Sequence, residues 1–203
     1  MYTFIDIGAY GRRSDGGIFK ESEMGQKFES GEMKLPPPAS PYGSDATLPY
    51  CIVGDEAFPL KPYLMRPYLG KTRVEHDRRV FNYRLRRARR VIENTFGIMV
   101  SRWRIFRKPI IMPVEHSMLI VQAAVCLHNF LRLSDLNDEE DVKYITPGSI
   151  DYENENNVLM PGSWRAEPQN GTAFAEITRC GNNSSTKEAY AIREILILIM
   201  KEL

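Results

Sequence analysis

The stretch YCIVGDEAFPLKPYLMRPY, residues 50–68, places a short apolar run directly before two adjacent carboxylates. Residues Cys51 to Val53 are typical of a strand, and Gly54 ends that run so that Asp55 falls at the strand's end. Three prolines follow, which exclude one continuous helix and predict extended segments or short turns. An acid at a strand's end is either a solvated turn residue or a metal ligand, and this stretch alone leaves both open.

A long helix is predicted from about Asp77 onward because apolar residues recur there at spacings of three and four. Its apolar stripe consists of Phe81, Leu85, Ala88, Ile92, Phe96, Met99 and Trp103. A neighbouring face comprises Asn82, Arg86, Arg89, Arg90, Glu93 and Gly97. Positions three, four or seven apart align on a helix, so Glu93 is a single carboxylate among arginines, beside the buried stripe. It is the second candidate acid.

Basic residues are concentrated around this helix. Residues 61–108 contain 15 Lys and Arg against three acidic residues, whereas the whole chain has a net charge of +1. The run RLRRARR, residues 84–90, would repel itself on a solvated face. A polyanion partner is therefore favoured. The run also resembles a nuclear import signal, but it lies inside a periodic helix, which favours phosphate contacts by Arg86, Arg89 and Arg90.

Other segments complete the prediction. YTFIDIG, residues 2–8, alternates as a half-buried strand does. A second helix is expected from Glu115 to about Leu133 and is apolar nearly all round, which predicts a buried helix. Residues 134–185 are polar and acidic and are expected to be flexible. An amphipathic helix occupies residues 186–203.

The composition of the chain narrows the class of protein further. No apolar stretch approaches a membrane span and no signal peptide is recognisable, so no membrane partner is expected. Three widely spaced cysteines fit reduced thiols in a cytosolic or nuclear protein. His128 is expected to be a hydrogen-bonded core histidine, and Cys126 to pack as a small apolar group.

Four stretches together resemble the PIF/Harbinger transposases and the Harbinger transposase-derived nucleases. They are DIGAYGRRSDGGIF, YCIVGDEAFPLKPYLMRPY, RVFNYRLRRARRVIENTFGIMVSRWRIF and CLHNFL. The resemblance covers most of residues 1–133. It implies an α/β fold of the RNase H-like DDE nuclease type, in which three acidic residues bind divalent cations and DNA is cut.

The resemblance also assigns roles to residues. Asp55 matches the second acid, at the end of a core strand, and Glu93 matches the third, on the helix after the sheet. The first acid of the family lies on a strand that would precede Met1, so a missing first core strand is expected. Asp15 and Asp6 remain as candidates for that acid, and Asp15 matches a recurrent family position. Mg²⁺ or Mn²⁺ is the implied cofactor, since hard cations take oxygen ligands.

The sequence therefore predicts an incomplete DDE endonuclease domain over residues 1–133, a polar flexible segment over 134–185 and a C-terminal helix over 186–203. The predicted function is divalent-metal-dependent DNA hydrolysis, impaired by the missing first acid, in the nucleus and also the cytoplasm. A separate DNA-binding protein is an expected partner. The alternative is a non-catalytic DNA-binding or partner-binding remnant of a domesticated transposase.

Overall fold

A computed structural model describes residues 1–9, 13–41, 43–69, 75–137, 143–166 and 185–202. These residues form a mostly helical structure with two sheets of two strands each, fewer strands than the predicted α/β class implies. The elements are α1 (Asp15–Glu21), α2 (Glu23–Glu29), β1 (Ile52–Val53), β2 (Leu64–Met65), α3 (His76–Arg102), α4 (Val114–Asn137), β3 (Tyr152–Glu153), β4 (Leu159–Met160) and α5 (Lys187–Glu202), with short 3-10 helices at Arg104–Arg107 and Ser163–Ala166.

Two compact units divide the chain. The first unit comprises Met1–Gly8 and Arg90–Glu176, and the second comprises Ala9–Arg89 and Ile177–Leu203. Their boundary falls within helix α3, which therefore contributes residues to both. Each unit has a hydrophobic cluster of its own.

The second unit contains the strand predicted before Asp55. Strand β1 pairs in parallel with β2, so that Ile52 lies opposite Leu64 and Val53 lies opposite Met65. The prolines that separate the two strands exclude a helix there, as predicted. The core of this unit consists of Leu48, Leu60, Met65, Phe81, Leu85, Ala189, Ile192 and Ile197.

The two short helices of the second unit are fixed by serine caps. Ser14 caps α1, and the Ser22 hydroxyl accepts from the Gly25 amide at 3.0 Å to cap α2. A Cβ at Gly25 would lie 1.8 Å from the Phe19 carbonyl oxygen, so only glycine fits the close contact between these helices. The Ser14 cap fixes the first turn of α1, which begins at Asp15.

The first unit corrects the prediction of a strand at residues 2–8, because these residues form no strand. The Tyr2 amide donates to Asn129 Oδ1 at 2.8 Å, and the Tyr2 carbonyl accepts from Asn129 Nδ2 at 2.7 Å. A side-chain amide of α4 thus satisfies the backbone groups that a neighbouring strand would otherwise pair. The core of this unit is Met99, Phe106, Ala124 and Val125.

Helix α3 has the predicted extent, but its buried stripe is interrupted. Phe81, Leu85 and Met99 are buried as expected, whereas Ile92 and Phe96 are 42% and 40% exposed. Between them the buried residues are polar, Asn94 and Thr95. Thr95 donates to the Val91 carbonyl at 2.7 Å, and Asn94 is paired as described below. Specific hydrogen bonds thus override the apolar periodicity in this part of the helix.

Helix α4 is longer than predicted and is buried on one side only. Ala124, Val125 and His128 are buried, whereas Leu119, Phe130 and Leu136 are at least 60% exposed. Cys126 is exposed as well, contrary to the expectation that it packs inside. Among the described residues, α4 is the one helix long and apolar enough to cross a membrane by length and composition, which is weak evidence on its own.

Part of the segment predicted to be flexible is packed. Asp135 accepts from the amides of Tyr144 and Ile145 at 2.6 and 2.8 Å, which ties residues 143–145 to the end of α4. Asp151 is buried, and β3 pairs antiparallel with β4. Local hydrogen bonds to buried carboxylates compensate for the low hydrophobicity of this stretch. Residues 167–184, including Cys180, lie outside the described residues.

His128 is the hydrogen-bonded core histidine that the sequence predicts. Its ring is 1% exposed, and its Nδ1 lies 2.9 Å from the Tyr144 hydroxyl. Burial, with smaller effects of the N-terminus and Arg132, lowers the pKa of His128 to about 4. The folded first unit therefore holds a neutral histidine, which an unfolded chain protonates below about pH 6.5.

We expect the stability of the first unit to be fully present above pH 6.5 and to decrease as the pH falls from 6.5 towards 4. The decrease between pH 7 and pH 5 should be roughly 1 to 2 kcal/mol, because only the unfolded chain gains the proton. Urea unfolding followed by tryptophan fluorescence measures it. Replacing His128 with Gln should weaken the dependence of the free energy of unfolding on pH, whereas the same change at the exposed His116 should leave that dependence in place. Equal pH dependence in both variants would contradict the assignment.

Candidate functional site

The candidate site in the second unit begins at Asp55, directly after β1. Its Oδ1 accepts from the Ala57 amide at 2.9 Å, as in an Asx turn, and its Oδ2 lies 3.5 Å from Arg89 Nη2. The Asp55 side chain remains 36% exposed. The structure thus shows Asp55 as a turn residue, one of the two alternatives that the sequence left open, and its carboxylate still reaches solvent.

The loop that carries Asp55 is held from two sides. Arg66 donates through Nη1 to the carbonyls of Glu56 and Phe58 at 3.3 and 3.2 Å. A Cβ at Gly54 would lie 3.0 Å from the Phe58 ring, so a larger residue there would displace the ring. These contacts fix the direction in which the chain leaves β1, and with it the position of Asp55.

Asp15 lies near Asp55 in the same unit. Burial raises the pKa of Asp15, and the negative charge of Asp55 raises it further. Like charges placed close together disfavour ionisation unless a cation neutralises them. The structure therefore brings the predicted acids Asp15 and Asp55 into electrostatic contact. Asp6 is in the first unit and is not part of this pair.

Glu93 lies in the first unit, on a turn of α3 that reads ENTFG, residues 93–97. Its side chain is 38% exposed, and its Oε2 lies 3.9 Å from Arg165 Nη2. The next residue, Asn94, is buried, and Gly97 closes the same turn. One turn of helix thus combines an accessible carboxylate with two residues that contact a distant segment.

Asn94 and Gly97 hold the segment that carries Arg165. Asn94 Oδ1 accepts from the Asp151 amide at 2.9 Å and from Trp164 Nε1 at 3.0 Å, and Asn94 Nδ2 donates to the Asp151 carbonyl. A Cβ at Gly97 would lie 2.3 Å from the Trp164 ring. The tryptophan therefore packs against bare backbone at Gly97, and larger residues there would expel it.

Asp151 anchors the Arg165 guanidinium. Its side chain is fully buried and accepts from Arg165 Nε at 2.9 Å to each oxygen, from Arg165 Nη2 at 2.5 Å and from the Gly162 amide at 2.8 Å. Burial raises the pKa of Asp151, but the hydrogen bonds of Arg165 and Gly162 outweigh it and the pKa is lowered. The pair is ionised, and Arg165 also stacks 4.3 Å from the Trp164 ring centre.

The arginines predicted to contact phosphate have different environments. Arg86 is exposed. Arg89 lies beside Asp55, and its side chain is 25% exposed. Arg90 forms a buried ion pair with Glu153 at 2.9 Å, in which the two side chains are 12% and 7% exposed. Of the three, Arg86 is the most accessible to a polyanion, while Arg90 also has a structural partner.

The donor chemistry of the predicted acids fits a hard divalent cation, since all three are carboxylates and all are at least partly accessible. Within the described ranges, however, no three His, Cys, Asp or Glu side chains are grouped closely enough to hold a metal ion. Asp15 and Asp55 belong to the second unit and Glu93 to the first. The surroundings of Asp15 and Asp55 and the surroundings of Glu93 are therefore described one unit at a time.

Four residues of the Glu93 surroundings were not predicted from the sequence: Asn94, Asp151, Trp164 and Arg165. Asp151 stands in a polar, acidic stretch whose composition indicates flexibility. A weak signal was present in SWR, residues 163–165, because an isolated tryptophan in a polar stretch usually finds a packing partner. Gly97, the glycine of ENTFG, is the residue against which this tryptophan packs.

Comparison with known proteins agrees with the resemblance. The sequence model of a family described as DDE superfamily endonuclease matches residues 1–129, which is more than half of the chain. This chain belongs to the DDE superfamily endonucleases. The family predicted from the four sequence stretches is thus confirmed.

A curated relative gives the extent of the likeness. The protein named ALP1-like from Arabidopsis thaliana is 30% identical over 139 residues, which cover 67% of this chain and 33% of the Arabidopsis protein. The chain therefore spans about a third of the length of this relative. No solved structure matches the chain.

Proposed function

We propose that this chain carries part of the site of a divalent-metal-dependent DNA endonuclease derived from a transposase. The observation that carries the proposal is Asp55, an accessible carboxylate at the end of β1 with Asp15 nearby, in a chain of the DDE superfamily endonucleases. Asp55 and Glu93 are proposed as metal ligands, with Asp15 as the candidate for the remaining acid. An RNase H-like fold is part of this proposal.

Each residue has a defined part in this reaction. Asp55, Asp15 and Glu93 would hold Mg²⁺ or Mn²⁺, which when bound acidifies a water ligand and stabilises charge on phosphate oxygens. Arg89 lies beside Asp55, with Nη2 3.5 Å from Oδ2, and orients that carboxylate. The loop contacts of Arg66 keep the Asp55 backbone in place. These residues hold the ligands before any substrate arrives.

DNA is the proposed substrate, and Arg86, Arg89 and Arg90 are proposed to contact its phosphates. The basic block of residues 61–108 supports this, since such blocks attract polyanions. A separate DNA-binding protein as partner and a location in the nucleus, or also in the cytoplasm, remain proposals that accompany this function.

A second function has its own support. Asp55 makes an Asx turn and is next to Arg89. These observations favour a non-catalytic DNA-binding or partner-binding remnant, in which the carboxylates have a structural role. The two functions share DNA binding and differ in metal-dependent cleavage.

Nicking of supercoiled DNA in the presence of Mn²⁺ distinguishes the two. Because a cation has to displace Arg89 from Asp55, we expect slow nicking that EDTA abolishes. The Asp55→Asn and Glu93→Gln variants should lose it, while Glu56→Gln, an exposed neighbour, should keep it. DNA binding without any Mn²⁺-dependent nicking would support the remnant. Strong nicking that Asp15→Asn abolishes would identify Asp15 as the third ligand.

A further inference from the structure

Arg165 is an arginine outside the basic block whose surroundings differ from those of an ordinary surface arginine. Its guanidinium is fixed on one edge by the fully buried Asp151 carboxylate, through Nε and Nη2. The Trp164 ring covers one face of the guanidinium. The side chain is nevertheless 42% exposed. It is thus held rigidly while remaining open to solvent.

The edge of the Arg165 guanidinium that Asp151 does not bind carries Nη1. Among the described residues no hydrogen bond engages Nη1, whose two N–H groups therefore remain available as donors. An arginine presents its donors in a planar fork that matches phosphate oxygens. A guanidinium fixed by a buried carboxylate loses little conformational entropy when it binds, because its side chain is already ordered.

The position of this donor edge relates it to the proposed site. Arg165 Nη2 lies 3.9 Å from Glu93 Oε2, a distance too long for a hydrogen bond but within ion-pair range. The Glu93 carboxylate and the Arg165 guanidinium are therefore neighbours that both reach solvent, without a direct hydrogen bond at this distance. A phosphate near Glu93 would find the open edge of Arg165 within reach.

We propose that Arg165 is a phosphate-binding residue of the nucleic-acid site and that Asp151, Asn94 and Trp164 hold it in place. The proposal rests on the proposed function for the identity of the polyanion, which is DNA. It adds a contact from residues 151–165, a segment remote in sequence from the basic block. Asp151 and Asn94 act through Arg165 and are positioning residues.

The test is the salt dependence of duplex DNA binding, measured in EDTA so that neither metal nor cleavage enters. Loss of one phosphate contact should reduce the slope of log K against log salt by about 1 in Arg165→Gln. Affinity should fall by about tenfold, as expected for a charged hydrogen bond. Arg132→Gln, which removes the same charge from a part-exposed arginine of the same unit outside the basic block, should have the smaller effect.

A second variant separates position from charge. Arg165→Lys keeps the positive charge, but a single ammonium has no fork with which to hold Asp151 and a phosphate together. Affinity should therefore fall severalfold although the charge is unchanged. Tryptophan fluorescence confirms folding of each variant at the assay temperature. A folded Arg165→Lys with wild-type affinity, or a slope change in Arg165→Gln no larger than in Arg132→Gln, would overturn the proposal.

Failure of this proposal and failure of the nuclease function give different results. Absence of Mn²⁺-dependent nicking, with the slope change at Arg165 intact, would remove the catalysis and retain the phosphate contact. Nicking that depends on Asp55 and Glu93, with an unchanged slope in Arg165→Gln, would retain the nuclease and remove the contact.

Discussion

Replacing Asp151 with Ala is expected to lower the free energy of unfolding of the first unit by about 2 to 3 kcal/mol. The carboxylate is fully buried and accepts from Arg165 and from the Gly162 amide. Its removal leaves a buried amide without its acceptor and a guanidinium without its counter-charge. The Trp164 packing depends on the same segment, so the loss extends beyond one ion pair.

Fluorescence is well suited to this measurement because both tryptophans, Trp103 and Trp164, belong to the first unit. Urea unfolding of the wild type and Asp151→Ala gives the difference directly. Glu155→Gln provides the control, since Glu155 is an exposed acid on the same segment and its loss should change stability by less than about 0.5 kcal/mol. A change of under 1 kcal/mol in Asp151→Ala would mean that the network contributes little.

The sequence predicted those elements whose signal is local. Strand β1 follows from an apolar run that ends at a glycine, and helix α3 from a long repeat with a spacing of three and four. His128 was recognised because a lone histidine on an apolar helix usually pairs inside the core. The family followed from four short stretches together, where any one of them would have been weak.

The features that were missed depend on contacts between distant residues. Residues 2–8 alternate as a strand does, but the Asn129 side chain binds the Tyr2 backbone instead. Asp151 lies in a stretch whose composition indicates disorder, and what holds it is Asn94, some 57 positions away in sequence. Neither pairing leaves a periodic pattern, so only a structure could reveal them.

The exposed side of α4 is another feature that the sequence did not predict. Its sequence is apolar nearly all round, which predicted burial on every side, yet residues such as Phe130 and Leu119 are exposed. Hydrophobic patterning states which residues prefer burial, and it does not state which of them find a partner within the chain.

Mn²⁺ binding is the property with the largest expected response to substitution. Asp55 offers a carboxylate that is 36% exposed and Glu93 one that is 38% exposed. Both oxygens are of the hard kind that Mg²⁺ and Mn²⁺ prefer. Arg89 beside Asp55 and Arg165 beside Glu93 compete with a cation, so the affinity should be weak. Loss of a single ligand should lower it at least about tenfold.

Calorimetric titration with Mn²⁺ of the wild-type chain, Asp55→Asn, Glu93→Gln and the control Glu56→Gln tests whether Asp55 and Glu93 bind the metal. Weak binding is expected for the wild type and for Glu56→Gln, and loss of most of that binding is expected for each of the other two. Unchanged affinity in both Asp55→Asn and Glu93→Gln would contradict metal binding by these two carboxylates.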